Sequence, residues 1–136
     1  MDAQVELFQA LGDATRLRLV NLLTQTGEIC VCELVDALEL PQYNVSRHLQ
    51  ILLKAGWLED RKVGKWVYYR MARDLKPYHR SILRAIDQLR EEREDFQRDE
   101  ARASRRLKLR RDGLCCVGLV STIEGGHTAQ RPGAAG

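Results

Sequence analysis

The chain has 136 residues, room for one domain and a tail, and 44% of them are apolar, which allows a modest core. The balance of 22 basic against 19 acidic residues leaves a net charge of +3, too small to argue for a nucleic-acid partner without regard to where the charges sit. No run approaches the length of a membrane span, and the start Met1-Asp2-Ala3-Gln4-Val5-Glu6 lacks a signal peptide's basic and apolar regions, so a cytoplasmic protein is expected whose four cysteines stay reduced and serve metal binding or redox sensing.

Val5, Phe8 and Leu11 have helical spacing over residues 3–11, and Gly12 ends that helix. Asp13 suits the N-cap of a second helix reaching about Thr24, with Leu17, Val20 and Leu23 on one stripe. A third short helix is expected from Cys30 or Val31 to Leu38. Pro41, whose missing N–H costs nothing at a first helical position, opens a fourth that runs to about Lys54. Residues 57–62 and 65–70 are β-rich runs around Val63-Gly64, a hairpin pattern. A long helix follows from Asp74 or Pro77, with Ile82, Ile86 and Leu89 as its stripe. Residues 96–111 read as a charged, basic extension of that helix, solvated along its length. Residues 112–136 read as a flexible tail holding Cys115 and Cys116.

Two short helices, a tight turn and a hairpin make a winged helix-turn-helix: an α+β fold, mostly helical, with about five helices and a two-stranded wing, over residues 1–95. In such motifs the second helix enters the major groove of double-stranded DNA. Gln42, Tyr43, Asn44, Ser46, Arg47 and His48 lie off the apolar face of Val45, Leu49 and Leu52 and carry groups able to pair with bases or phosphates. For His48, packing between helices is an equal alternative. Arg61, Lys62 and Lys65 flank the hairpin tip, where they would meet the DNA backbone or minor groove in a salt-sensitive way.

Four segments in order then resemble one family. Residues 7–18, Leu7-Phe8-Gln9-Ala10-Leu11-Gly12-Asp13-Ala14-Thr15-Arg16-Leu17-Arg18, look like the opening of the ArsR/SmtB metal-sensing winged-helix repressors. Glu28-Ile29-Cys30-Val31-Cys32-Glu33-Leu34 is similar to the inducer-binding segment of the family's arsenic-responsive members. Val45-Ser46-Arg47-His48-Leu49 and Gly64-Lys65-Trp66-Val67-Tyr68-Tyr69-Arg70 resemble its recognition helix and wing. The resemblance spans about residues 4–90. It implies a homodimer that represses an operon until its inducer binds, joined through the first and last helices, with Val5, Phe8, Ile82, Ile86 and Leu89 as interface positions. A two-fold dimer needs a pseudo-palindromic operator, its recognition helices roughly 34 Å apart.

Cys30 and Cys32 stand at a helix N-terminus, where the macrodipole favours the thiolate that binds soft ions. Residues two apart on an ideal helix are turned by about 200°, so both sulfurs are expected to reach one ion only if the first turn opens. Capture would then disturb the neighbouring recognition helix and release DNA. The arsenic site of the resembled proteins continues with a third cysteine one turn later, where this chain has Val35. Three readings stay open: two thiols suffice for trivalent arsenic or antimony, or for an organoarsenical such as methylarsenite; Cys115 or Cys116 completes the set; or Cys115-Cys116 forms a separate site, the main site or none. A tether of about 20 residues spans on the order of 25 Å. Cadmium, lead, or oxidation and persulfidation of the thiols are alternative inputs to the same fold. A structural zinc site lacks a second C-x₂₋₄-C pair. Asp74, His79 and Asp87 do not have the spacing of the family's second, hard-ligand site. No phosphate loop, nucleophile elbow or H-E-x-x-H helix is present, so an enzyme is not expected. A small thiol reductase using Cys115-Cys116, or a DNA-binding protein without an inducer, is the remaining rival.

Overall fold

Two aspartates start the first two helices. Asp2 accepts from the backbone N–H groups of Gln4 and Val5 ahead of α1 (Ala3–Ala10), and Asp13 accepts from that of Arg16 ahead of α2 (Ala14–Thr26). Gly27, at φ 79°, turns the chain out of α2 in a region closed to most side chains. In this computed structural model, which describes residues 2–115, there follow β1 (Ile29–Cys30), α3 (Val31–Leu38), α4 (Gln42–Lys54), β2 (Leu58–Val63), β3 (Trp66–Met71), α5 (Pro77–Gln88), a 3-10 turn (Leu89–Glu91) and α6 (Glu94–Leu107). The result is the winged helix-turn-helix read from the sequence, with two additions. The wing β2–β3 gains a third strand, since β1 pairs antiparallel with β3 in the order β1-β3-β2, and a sixth helix follows α5.

The core is built from Leu19, Val20, Leu22 and Leu23 of α2, Leu34, Val35 and Leu38 of α3, and Val45, Leu49 and Leu52 of α4, with Trp57 and Tyr68 closing it toward the wing. The Trp57 indole N–H donates to the Leu7 carbonyl at 3.0 Å, which ties α1 down. All eight residues of α3 are buried. No helix among the described residues is long and apolar enough to cross a membrane.

Residues 96–111 do not extend the preceding helix as a solvated rod. The chain breaks after the 3-10 turn and returns as α6 against α2 and α3. Phe96 and Ala103 are fully buried there, with the Arg93 guanidinium over the Phe96 ring at 5.0 Å. Arginines do most of the docking. Arg18 of α2 holds Asp99 at 2.7 Å and the Leu38 carbonyl at 2.9 Å; Arg102 holds the Ala37 carbonyl at 2.6 Å; Arg106 holds Asp36 at 2.6 Å; Arg110 holds Glu33 at 2.7 Å. Buried pairs of this kind contribute little net stability, because desolvation offsets attraction, but a missing partner is costly, so they fix where α6 lies. The expected interface stripe is divided: Val5 and Phe8 are 45% and 59% exposed, Ile82 and Leu89 are half-buried, and Ile86 packs into the core of its own chain.

Candidate metal centre and nucleic-acid interface

Cys30 is the N-cap of α3, not its first helical residue. Its backbone is extended (φ −81°, ψ 151°) through pairing with Tyr68 on β3, and its N–H donates to the Glu33 carboxylate at 2.9 Å. The 200° rotation expected between Cys30 and Cys32 therefore does not apply. Their sulfurs meet at 3.2 Å with the first turn of α3 intact, and no unwinding is needed to bring them together.

Cys115 supplies the third sulfur. After α6, Arg111 and Leu114 exchange backbone hydrogen bonds of 3.0 Å around a turn with Asp112 and Gly113 at φ 54° and 75°. The next N–H, that of Cys115, donates to the Tyr68 hydroxyl at 2.7 Å. The Cys115 sulfur then lies 3.2 Å from that of Cys32, and all three sulfurs are buried within 4.8 Å of one another. Among the described residues this is the one cluster of three or more His, Cys, Asp or Glu side chains with metal-ligand spacing. A loose tether is not what carries Cys115 there; the docked α6 is. Cys116 lies outside the described residues.

The surroundings are charged but balanced. The Arg106 guanidinium lies 3.7 Å from the Cys32 sulfur and 3.9 Å from that of Cys115, and Asp36 neutralises it. Arg110 is neutralised by Glu33 and also donates to the Glu28 carbonyl. The Cys30 thiol is pushed up to about 12, first by the hydrogen-bonded Cys115 thiol and further by burial. The Cys32 thiol is driven up more strongly, by the Cys115 and Cys30 thiols and then by burial. The thiolate expected from the helix dipole is thus overruled: crowded buried sulfurs cannot all carry charge with no ion between them. With no ion between them, Cys30 and Cys32 are therefore held as thiols.

The centre touches the wing directly. Tyr68 of the wing receives the Cys115 N–H and pairs with Cys30, and the Arg61 guanidinium lies over its ring at 5.6 Å. On α4, Tyr43 is 75% exposed with Arg47 beside its ring, at 6.0 Å, and Gln42, Asn44 and Ser46 are half-buried. Lys62 and Lys65 are exposed at the wing tip. Arg61 is held back from the tip by Glu28 at 2.6 Å. His48 is buried, and its Nδ1 accepts from Arg16 at 3.0 Å, which packs α4 on α2, the alternative the sequence left open for it. His79 is also structural, accepting from the Lys76 N–H at 3.0 Å with its ring edge against Trp57. Sequence reasoning missed Arg106, Arg110, Asp36, Glu33 and Tyr68. The four-residue spacing of Arg102, Arg106 and Arg110, one helix face, was the available signal.

Residues 13–60 match the family model described as bacterial regulatory protein, arsR family. The chain is 46% identical over 79 residues to the arsenical resistance operon repressor of Escherichia coli K12, covering 58% of this chain and 68% of that protein. It is 37% identical over 113 residues to the arsenic resistance transcriptional regulator ArsR2 of Pseudomonas putida, covering 82% and 96%. Among solved structures, that of the AntR antimony-specific transcriptional repressor superposes with a TM-score of 0.55 at 32% identity, covering 65% of this chain and 78% of that one.

Proposed function

The chain belongs to the arsR family of bacterial regulatory proteins, and from that premise we propose that it represses a metalloid-resistance operon and leaves its operator when trivalent arsenic or antimony is captured by Cys30, Cys32 and Cys115. The family makes it a transcriptional regulator with a helix-turn-helix for DNA, and no enzyme. The inducer, its ligands, a cytoplasmic homodimer and a pseudo-palindromic operator belong to the proposal. So does a division into a DNA-binding unit over residues 1–95 and an appended sensing segment that ends in the tail.

The observation that carries this reading is the buried three-sulfur cluster. A metal–thiolate bond of about 2.3 Å with near-right angles at the ion spaces adjacent sulfurs about 3.3 Å apart, and trigonal or tetrahedral angles spread them further. The two sulfur–sulfur distances of 3.2 Å suit the pyramidal, near-right-angled geometry of a trivalent ion with a lone pair. Proton balance points the same way. Arsenous acid reacts as As(OH)₃ + 3 RSH → As(SR)₃ + 3 H₂O, so neutral thiols are its proper partners. A divalent ion must instead expel protons, among them that of the Cys30 thiol pushed up to about 12 and that of the still more strongly raised Cys32 thiol.

Release follows from what the sulfurs are attached to. Cys30 belongs to β1, Cys32 to the helix packed on α4, and Cys115 to the backbone hydrogen-bonded to the wing. Two of the three sulfur spacings already suit the ion, so capture acts on the third, between Cys30 and Cys115, which lie within 4.8 Å and are both attached to Tyr68 of the wing; a shift there moves β3, and DNA must by linkage weaken the ion's binding by the same factor. X-ray absorption at the arsenic edge tests the ligand set on the full chain: three sulfur neighbours are expected. A shell still containing oxygen at full occupancy would contradict it.

A further inference from the structure

We infer that Asp36 is a specificity-determining residue of the thiol centre: by cancelling the charge of Arg106 it keeps the fixed charge around the three sulfurs at zero, which favours a neutral tris-thiolate over an anionic one. The inference rests on the reading of Cys30, Cys32 and Cys115 as ligands of one ion.

The geometry is specific. Arg106 stands at hydrogen-bonding distance from two of the three sulfurs, and its Nε donates to Asp36 at 2.6 Å, with only 3% and 6% of the two side chains exposed. The next pair out, Arg110 and Glu33, balances as well at 2.7 Å, with Glu33 fully buried. Among the described residues, the two guanidinium groups beside the sulfurs, Arg106 and Arg110, each hold a carboxylate inside the protein, so solvent does little to screen a surplus. A trivalent pnictogen on three thiols forms As(SR)₃, with no charge to accommodate. Cadmium on the same ligands balances as Cd²⁺ + 3 RSH → [Cd(SR)₃]⁻ + 3 H⁺, and places a negative charge in a buried, neutral box. Such a charge is expensive without a counter-ion. Arg106 would serve as that counter-ion were it not already committed to Asp36. No role of Asp36 as a ligand is involved.

The test is a charge series on the full chain without DNA, read from the ultraviolet thiolate-to-ion absorption as the ratio of arsenite to cadmium affinity at one pH. Asp36→Asn leaves Arg106 uncancelled and is expected to lower the ratio roughly ten- to hundredfold. Arg106→Gln leaves Asp36 uncancelled and is expected to raise it. The double variant, again at zero, is expected to return to the wild-type ratio, and it avoids a lone buried charge should a single variant fold poorly. A ratio that stays constant across the series, or a double variant that does not recover it, overturns the inference while leaving the proposed inducer standing. Failure of arsenite to produce the absorption in the wild type overturns both.

Discussion

The Cys115 sulfur lies 3.2 Å from that of Cys32, although 83 positions separate them in the chain. What closes that distance is α6 and the turn after it: Arg102 and Arg106 of the helix, and Arg110 beyond it, hold acidic residues and a carbonyl of α3. The third thiol, which the Cys30–Cys32 segment lacks at Val35, comes from an element the helix-turn-helix itself does not contain.

Replacing Cys115 by Ser is expected to weaken arsenite binding at least ten- to hundredfold, the loss typical of removing even an outer partner of a metal ligand. Affinity for the operator without arsenite should change little, because the substitution keeps the backbone N–H by which Cys115 holds the wing. Calorimetric titration with arsenite and a DNA-binding isotherm check the two halves.

Phe96 anchors α6. Truncating this fully buried ring to Ala should cost about 3–5 kcal/mol of stability in urea unfolding. Because α6 carries Cys115, arsenite affinity should fall with it even at temperatures where Phe96→Ala remains folded.

Alkaline pH should destabilise the empty protein. The Cys30 thiol rises from 9.0 to about 12 on folding, so between these values the unfolded chain gives up a proton that the folded one keeps. Stability from this source is complete below pH 9 and declines as pH rises toward 12. Denaturant midpoints measured across that range should fall more steeply for the wild type than for Cys30→Ser.

At the acid end His48 is one sensitive group, beside His79, whose pKa burial also lowers. Arg16 can only donate, so His48 is neutral at Nδ1; burial lowers its pKa, Asp13 opposes this, and Arg16 and Arg47 reinforce it. Its contribution is present above pH 6.5 and is lost as pH drops below it, when a second cation would face Arg16 across the α2–α4 contact. His48→Gln should flatten the stability profile between pH 7 and 5.

The helix-turn-helix and wing were legible because Val45, Leu49 and Leu52 carry a helical period and Val63-Gly64 separates two β-rich runs. The packing of α6 was not, because its burial is done by ion pairs. Arg106 and Asp36 are the residue types that composition assigns to solvent, and only Phe96 and Ala103 give α6 a fully buried apolar face. The meeting of Cys30 and Cys32 was misread for a local reason. A two-residue strand, Ile29–Cys30, too short to show any periodicity, holds Cys30 extended and outside the helix.

The central claim is that filling the three-thiol centre releases DNA. Fluorescence anisotropy of the promoter complex, titrated with arsenite for the wild type, Cys115→Ser and the Cys30→Ser/Cys32→Ser double variant, tests it most directly. The wild type should dissociate as the centre fills, Cys115→Ser only at much higher arsenite, and the double variant not at all. A wild-type protein whose thiols are fully occupied by arsenic, yet which holds its promoter as tightly as the empty form, would contradict the account.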